Sequence, residues 1–130
     1  MAEYTRSIFV FGSNRQGRHG KGAALEARLK HGAVYGQAMG LQGDSYAICT
    51  KELRAWHNGG RPVRLAELVP QIDALLIIAA NHPDWEFIVT PIGCGLAGFK
   101  PEQVAPLFMG HPSNVKLPAV FLPFVTRGGE

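Results

Sequence analysis

The sequence predicts an α/β fold with a mainly parallel sheet and helices on both of its faces. Three observations lead to this expectation. Apolar runs rich in β-branched and aromatic residues alternate along the chain with segments of helical periodicity. The first of these runs shows no polar alternation, which is typical of a strand that is covered on both faces. A glycine-rich loop follows the first and the third run, where ligands bind in parallel sheets.

The first half of the chain contains two predicted strands and one predicted helix. IFVF at 8–11 is a continuous apolar run, and the glycine-rich and basic stretch GSNRQGRHGKGAA at 12–24 follows it. KGAALEARLK at 21–30 consists of good helix formers, with Gly32 beyond it as a stop signal. The glycine-spaced segment that comes next is predicted to be a loop, and YAICT at 46–50 is predicted to be the second strand.

The second half supplies the remaining predicted elements. KELRAWHNGGRPVR at 51–64 has no clean periodicity and contains Gly and Pro, which favours a long exposed loop. Apolar residues spaced at i, i+3, i+4 and i+7 predict a helix that begins near Leu65. FIVTPI at 87–92 is predicted to be the third strand, PEQVAPLF at 101–108 a short helix, and 117–122 a strand near a sheet edge.

Composition indicates one globular domain over residues 1–130. An apolar share of 46% and a charged share of 18% are typical of soluble proteins. The net charge of +3 favours an anionic ligand, but the chain lacks the dense basic stripe of nucleic-acid binders. The two cysteines, the start without an apolar signal region and the shortness of the longest apolar run predict a cytoplasmic protein that does not enter a membrane. No Cys or His spacing indicates a metal site.

The two glycine loops are candidate anion-binding sites, because backbone N–H groups and helix N-termini can bind phosphate. In the first loop Arg18 and His19 follow Gly17, where a P-loop needs lysine and a hydroxyl. The second loop, GCGLAGF at 93–99, spells G-x-G-x-x-G, but no acidic residue about 20 positions on completes a dinucleotide-binding fingerprint. We expect the two loops to face one another and to hold a pyrophosphate; structural turns without a ligand are the alternative.

In order and spacing, these motifs resemble those of the macrodomain family, whose members bind ADP-ribose and related nucleotides. The matching segments are FVFGSN followed by HGKGAALEA, then ICTK, then TPIGCGL followed by EQV, so the likeness runs from about Ile8 to Leu122. It is closest to the small branch that hydrolyses terminal ADP-ribose esters. The resemblance implies a macrodomain-like three-layer sandwich and an ADP-ribose cleft between the loops, with no cofactor.

The resemblance also assigns roles to individual residues. Asn14 matches the asparagine that bonds the distal ribose, and Phe99 would pack on that ribose. Lys51 matches the lysine that attacks the anomeric carbon; a solvated lysine at a strand end is the alternative. The remaining positions that would bind the diphosphate are Gly20, Lys21, Gly22 and Ala23 in the first loop and Gly93, Cys94, Gly95, Leu96, Ala97 and Gly98 in the second.

Glycosidic cleavage would also need a group that manages a proton. His19 is the preferred candidate, because histidine titrates near neutrality, and Glu26 is the other; His19 could equally serve only to bind phosphate or water. Ala97 stands where the branch carries its catalytic aspartate. We therefore expect a hydrolase of ADP-ribosyl linkages or, alternatively, a non-catalytic reader that sequesters ADP-ribose-related nucleotides.

Two further alternatives involve the predicted loop at 51–64. Trp56 and His57 are candidates for an adenine platform or a lid, or for packing the loop down. A nucleic acid is a less favoured partner than ADP-ribose or an ADP-ribosylated molecule. It would be bound by basic residues of the first loop and of this segment, namely Arg15, Arg18, Lys21, Arg54, Arg61 and Arg64.

Overall fold

The computed structural model of the chain describes residues 4–52, 61–95 and 97–125. Arg54, Trp56, His57 and Leu96, which the sequence analysis singled out, lie outside these residues. In chain order, the described strands and helices are β1 Arg6–Asn14, α1 Gly22–Lys30, β2 Gly40–Gln42, β3 Ser45–Glu52, β4 Arg61–Pro62, α2 Leu68–Asn81, β5 Trp85–Val89, α3 Pro101–Val104 and β6 Val115–Lys116. Short 3-10 helices lie at Leu65–Glu67, Ala105–Phe108 and Ala119–Phe124.

The strands form one mixed sheet in the order β2-β3-β1-β5-β6, and β4 pairs with β3 as well. Strand β1 is parallel to both β3 and β5, and β5 is parallel to β6. The short strands β2 and β4 are antiparallel to β3. The prediction of an α/β fold with a mainly parallel sheet is thus confirmed.

The register of the central strand brings several strand ends to one edge of the sheet. Val10 lies opposite Tyr46 on β3 and opposite Val89 on β5. Farther along, Asn14 lies opposite Lys51, after an irregularity in the pairing between Ser13 and Asn14. The carboxyl ends of β3, β1 and β5 therefore meet at the same edge, as parallel pairing requires.

Two apolar clusters form the core, and they take alternate residues of β1, as expected from the two-residue period of a strand. Ile8 and Val10 belong to the larger cluster, whereas Phe11 belongs to the smaller one. The helical members of the larger cluster include Leu68, Ile72, Leu75 and Ala79 of α2 and Val104 of α3, and those of the smaller cluster are Ala24 and Ala27 of α1.

The strand predicted at 117–122 is wrong. A 3-10 helix, Ala119–Phe124, occupies most of this segment, and the last strand is the two-residue β6 before it. Pro118 and Pro123 cannot donate ladder hydrogen bonds. The helical turn instead buries Phe121 completely, and its ring lies 5.9 Å from that of Phe108 between centroids.

The segment between α1 and β3 was predicted to be a loop but contains β2. A two-residue connection, Gly43-Asp44, joins β2 to β3 as an antiparallel hairpin. Arg6 fixes this turn to β1, because its Nε donates to Asp44 Oδ1 at 2.8 Å and its Nη2 donates to the Gly43 oxygen at 2.5 Å. Glycine followed by aspartate between strand-like runs is a hairpin signal that the sequence already carried.

The segment 51–64 was predicted to be a loop, but β3 extends to Glu52 and β4 lies at Arg61–Pro62, antiparallel to it. The other differences concern the bounds of elements. Strand β1 is longer than the apolar run 8–11, and α2 begins after a 3-10 turn that contains Leu65. Pro70 lies in the first turn of α2, where a missing N–H is tolerated. The helix predicted at 101–108 divides into α3 and a 3-10 helix, because Pro106 interrupts the helical hydrogen bonds. No helix among the described residues is long and apolar enough to span a bilayer.

Candidate functional site

The candidate site lies where β1, β3 and β5 end. Residues 15–21 after β1 form the first glycine loop, and the second follows β5, with its described residues at 90–95 and 97–99. The two regions are close, since a Cβ placed on Gly12 of β1 would lie 3.4 Å from the backbone nitrogen of Gly93. The expectation that both loops emerge at the carboxyl ends of neighbouring parallel strands agrees with this arrangement.

Asn14 closes the first glycine loop. Its Nδ2 donates to the Arg18 oxygen at 2.7 Å, and its Oδ1 accepts the Arg18 N–H at 2.8 Å. The Asn14 carbonyl also accepts the N–H of Gly17 at 2.9 Å. The side chain thus shapes the loop, while one Nδ2 hydrogen and one Oδ1 lone pair stay available for a ligand.

The segment at 33–39 supports the same loop from the side of β2. Gly36 donates its N–H to the Gly17 oxygen at 2.8 Å, and Ser13 Oγ donates to the Ala38 oxygen. Gly17 has φ of +70°, and a Cβ there would overlap the backbone of Gly36. Glycine is therefore required at position 17 both by conformation and by close packing.

His19 lies inside the protein rather than on the loop surface. It is fully buried, and its ring meets the ring of Phe11 edge to face at 5.1 Å between centroids. Its Nε2 lies 3.1 Å from Oε1 of Gln42, which also accepts the Val34 N–H at 2.8 Å. Because Gln42 Oε1 can only accept, His19 Nε2 is the protonated ring nitrogen. The proton-transfer role expected of His19 does not fit this burial, since the ring supports the loop from within.

The second glycine loop is closed by its own backbone and by an aromatic ring. Phe99 donates its N–H to the Gly93 oxygen at 2.7 Å, and Gly98 donates to the Gly95 oxygen at 3.1 Å. Gly93 has φ of +75°, and a Cβ there would lie 2.9 Å from Cδ2 of Phe99. The half-buried Phe99 thus packs across Gly93 and against the main core, while Ala97 beside it is buried.

Both loops leave backbone donors and open space. The first backbone bond inside α1 runs from Leu25 N–H to the Lys21 oxygen, so the N–H groups before it have no helical acceptor. A Cβ on Gly20 or on Gly95 would meet no atom of the described residues within 4 Å, apart from the chain neighbours of each glycine. Among the described residues, no acceptor is found for the backbone N–H groups of Gly20, Gly22, Ala23, Gly93 and Gly95.

Lys51 lies at the end of β3, beside the first loop. Its Cα is the register partner of Asn14, and its carbonyl accepts the Arg15 N–H at 2.7 Å. The side chain is half-buried. The structure thus brings together Lys51 and Asn14, two of the three residues expected to act on a ribose, and it separates the third, His19, from the surface.

An ion pair removes one cation from the site. Arg15 Nη2 lies 3.0 Å from Oε1 of Glu67, and the Arg64 N–H donates to Oε2 of Glu67 at 2.7 Å. The Arg64 N–H and the Arg15 side chain hold the pKa of Glu67 below its usual range. The loop segments 14–22 and 90–100 themselves contain no acidic residue, so exposed Arg18, Lys21 and Lys100 leave the site electropositive.

Other chemistry is poorly supported by the described residues. Burial raises the pKa of the Cys94 thiol, so it is protonated and weakly nucleophilic at neutral pH. Glu26 lies on α1 with Oε2 3.6 Å from Nε2 of His31, rather than in either loop. The described ranges contain no group of three His, Cys, Asp or Glu residues arranged to hold a metal ion.

Sequence reasoning missed the residues that hold the first loop in place. Gln42 is the main one, because its Nε2 donates to the Gln37 oxygen at 3.1 Å and to the Gly40 oxygen at 3.3 Å while its Oε1 binds His19. Gly36 and Ser13 complete this support. The Gly43-Asp44 hairpin signal could have indicated that β2 lies near β1, but no local pattern could have paired Gln42 with His19.

Comparisons with known proteins show the fold alone. No family model and no curated protein matches the chain. A structure of a protein of unknown function from Bacteroides thetaiotaomicron is similar with a TM-score of 0.60 and 18% identity, over 90% of this chain and 88% of that chain. An X-ray structure of a protein from the same organism is similar with a TM-score of 0.58 and 18% identity, over 90% of each chain. The architecture is therefore shared with experimentally solved proteins.

Proposed function

We propose that the chain binds a nucleotide diphosphate of the ADP-ribose type between its two glycine loops. The observation that carries the proposal is the meeting of two loops with unpaired backbone N–H groups at the ends of the adjacent parallel strands β1 and β5. A pyrophosphate has enough oxygens to accept from both loops at once, and backbone donors beside a helix N-terminus favour an anion.

Charge and space support the same ligand. The exposed cations Arg18, Lys21 and Lys100 border the loops, and the loops contain no carboxylate that would repel phosphate. At Gly20 and Gly95 a ligand can approach the backbone directly, because no atom from another described segment lies where a side chain would begin.

The core supports a macrodomain-like three-layer sandwich. Phe11 of β1 packs with α1 in one cluster, whereas Val10 packs with α2 in the other. Since successive residues of a strand point to opposite faces, α1 and α2 belong on opposite faces of the sheet. This architecture is the one implied by the resemblance to macrodomains.

Binding without turnover is the better supported form of this function. Ala97 carries no acid, and the buried His19 does not reach a ligand at the loop surface. Hydrolysis of an ADP-ribosyl linkage is the second candidate, and it rests on Lys51 beside Asn14 at the strand ends. In that reaction the Lys51 amine would attack the anomeric carbon of the distal ribose, the bond from that carbon to the linked group would break, and the linked group would leave with the proton lost by the amine. Water would then hydrolyse the lysine adduct and release ADP-ribose.

Titration calorimetry with ADP-ribose, AMP and NAD tests the binding proposal. We expect ADP-ribose to bind more tightly than AMP, because ADP-ribose offers a diphosphate to both loops and AMP has a single phosphate. Gly20→Val and Gly95→Val should each weaken ADP-ribose binding by at least about tenfold, because each side chain enters space that the fold leaves open.

Ala80→Val is the matched control, since Ala80 is exposed near the end of α2, just before the start of β5 and therefore away from the carboxyl ends of the strands. It should leave the affinity unchanged, and circular dichroism should show that all three variants fold. No binding of ADP-ribose to the wild-type chain at millimolar concentration would refute the proposal. Equal affinities of the wild-type, Gly20→Val and Gly95→Val proteins would place any binding elsewhere.

Product analysis separates the reader from the hydrolase. A reader retains ADP-ribosylated protein over hours without releasing ADP-ribose. A hydrolase releases ADP-ribose, and Lys51→Ala should then abolish turnover while calorimetry still shows ADP-ribose binding. Turnover that survives in Lys51→Ala would exclude Lys51 as the nucleophile.

A further inference from the structure

Positive charge is concentrated in one part of the chain. Residues 15–41 contain five Lys or Arg and one Glu, whereas the rest of the chain contains eight Lys or Arg and nine Asp or Glu. The segment therefore has a net charge of +4 and the remainder a net charge of −1, with histidine neutral. The net charge of the whole chain conceals this asymmetry.

Several cations of this segment have no ion-pair partner in the part of the chain that the structure describes. Arg15 pairs with Glu67, but no acidic partner is found among the described residues for Arg18, Lys21 or Arg28. Arg28 instead lies with its Cζ 5.2 Å from the centre of the Tyr35 ring. These side chains are available to an acidic partner.

The same segment exposes large apolar side chains. Leu29 is 70% exposed, Val34 is 50% exposed and Tyr35 is 57% exposed. Leu29 lies on the outer face of α1, opposite the buried Ala24 and Ala27. Exposed apolar groups beside cations are typical of binding surfaces.

Backbone hydrogen bonds hold together the three segments that carry these residues. The Ala33 N–H donates to the Ala27 oxygen at 3.1 Å, which holds the segment after α1 against the helix. The Gly36–Gly17 hydrogen bond attaches the same segment to the first glycine loop. We call this the α1 surface, and it consists of Arg18, Lys21, Arg28, Leu29, Val34 and Tyr35.

We propose that the α1 surface docks an acidic protein segment that carries apolar side chains. Charge complementarity requires an acidic partner, and the aliphatic Leu29 and Val34 favour a protein over a nucleic acid, which binds cations and aromatic platforms. Arg28 and Tyr35 are of the residue types that dominate interface energetics. A second copy of this chain would bring the same positive charge and would be repelled.

The partner docks through side chains rather than as an added strand. Gln37 Nε2 donates to the Met39 oxygen at 3.2 Å and to the Leu41 oxygen at 3.1 Å. These carbonyls belong to the edge strand β2 and to the residue before it, so this part of the edge already has a donor. The proposal goes beyond nucleotide binding and does not depend on it.

Fluorescence anisotropy with a labelled random copolymer of glutamate and tyrosine tests the proposal. We expect binding that weakens with added salt, and weaker binding of polyglutamate, which lacks apolar groups. Arg28→Glu should weaken copolymer binding by at least about tenfold. Tyr35→Ala should reduce the preference for the copolymer over polyglutamate.

Lys116→Glu is the matched control, because it makes the same charge change on β6 at the opposite edge of the sheet. It should change the affinity for the copolymer less than about twofold, because Lys116 is distant from the α1 surface and substitutions at distant sites act independently to within about that factor. Calorimetry with ADP-ribose should give the same affinity for Arg28→Glu as for the wild type, because Arg28 lies outside both glycine loops, and this separates binding of the acidic partner from binding of the nucleotide.

Several results would overturn the proposal. Failure of the wild-type chain to bind the copolymer at low salt would do so, as would an equal loss in Arg28→Glu and Lys116→Glu. Tighter, Arg28-dependent binding of oligo(dT) would assign the surface to nucleic acid. Tighter, Arg28-dependent binding of phosphatidylserine vesicles would assign it to a membrane.

Discussion

Asn114 shows how one buried amide can hold several elements together. The two hydrogens of its Nδ2 are shared among three acceptors, the Ala79 oxygen at 2.9 Å and the His82 and Trp85 oxygens at 3.0 Å each. These acceptors lie at the end of α2, just after it, and at the start of β5. The side chain therefore joins the end of α2 to the start of β5, and it adds a bond to the Ala79 and His82 carbonyls, which also accept the His82 and Trp85 N–H groups.

We expect Asn114→Asp to destabilise the fold by about 2 kcal/mol or more, because it replaces a donor by an acceptor facing buried carbonyls. Urea unfolding followed by fluorescence measures the change. Ser113→Ala, at the neighbouring exposed position, is the control and should have little effect. Similar midpoints for Asn114→Asp and the wild type would contradict this account of the hydrogen bonds.

Glu67 makes the stability of the site depend on pH. Its pKa is lowered in the folded protein, first by the Arg64 N–H and then by the Arg15 side chain. Ionised Glu67 therefore stabilises the folded state above the usual pKa of glutamate, near pH 4.3, and this contribution is lost as pH falls through the lowered pKa.

Glu67→Gln should accordingly lower stability at neutral pH and make it less dependent on pH in acid. The stability difference from the wild type should shrink on acidification, as measured by urea unfolding across the acidic range. Glu102→Gln, at an exposed position of α3, serves as the control. A difference that grows with acidification would have the wrong sign and would refute the assigned role.

At the scale of elements, the first glycine loop depends on the segment that precedes β2. Gly17 and Gly36 both have positive φ, but only Gly17 would place a Cβ against backbone. Alanine in the left-handed region costs about 1 to 2 kcal/mol, and forced overlap adds about 1 to 3 kcal/mol. Comparing alanine at the two positions therefore separates the free-energy cost of the left-handed backbone conformation from the additional cost of steric overlap.

We expect Gly36→Ala to destabilise by about 1 to 2 kcal/mol and Gly17→Ala by about 2 to 5 kcal/mol. Thermal and urea unfolding of both variants provide the comparison. Gly17→Ala should also weaken ADP-ribose binding more than Gly36→Ala does, because the first loop moves. Equal destabilisation by the two substitutions would mean that the loop shifts to accommodate a Cβ at position 17 with no further loss of unfolding free energy.

On the side of β3 that faces away from β1, a side chain makes the hydrogen bonds that a neighbouring strand would otherwise make. Gln71 of α2 accepts the Cys49 N–H at 2.7 Å and donates to the Cys49 oxygen at 2.9 Å. Cys49 lies between the residues of β3 that pair with β2 and those that pair with β4. A helix side chain thus fills the gap between two short edge strands and ties α2 to the sheet.

Across the whole molecule, β1 is the element on which the others depend. It pairs with β3 and β5 and contributes to both apolar clusters. We expect the amides at 8–11 to exchange with solvent only through global unfolding, whereas β6, two residues long and at an edge, opens locally.

Hydrogen exchange followed by NMR measures this difference. Under conditions of rapid reclosing, the amides of β1 should report the same free energy as urea unfolding, and the Lys116 amide should report a smaller one. The amides of α1, a helix with one exposed face, provide an internal comparison for the exchange rates of the β1 and β6 amides. Exchange of the β1 amides before those of β6 would show that the sheet opens from its centre.

Sequence patterns gave accurate expectations where the determining interactions are local. The continuous apolar run at 8–11, the helix formers at 21–30 and the periodicity after Leu65 all correspond to observed elements. The stretch at 117–122 misled, because its composition suits a strand while two prolines and the burial of Phe121 favour a 3-10 turn.

The sequence by itself determined the α/β class and the two strand-to-loop junctions, because strand formation, helix formation and turn chemistry depend on near neighbours. Tertiary structure alone decided which side chains face the site. His19 is buried by Phe11 and by Gln42, 23 residues away, and Lys51 meets Asn14 only through strand register. Such contacts follow from the packing of distant segments, whose free energy no local pattern contains.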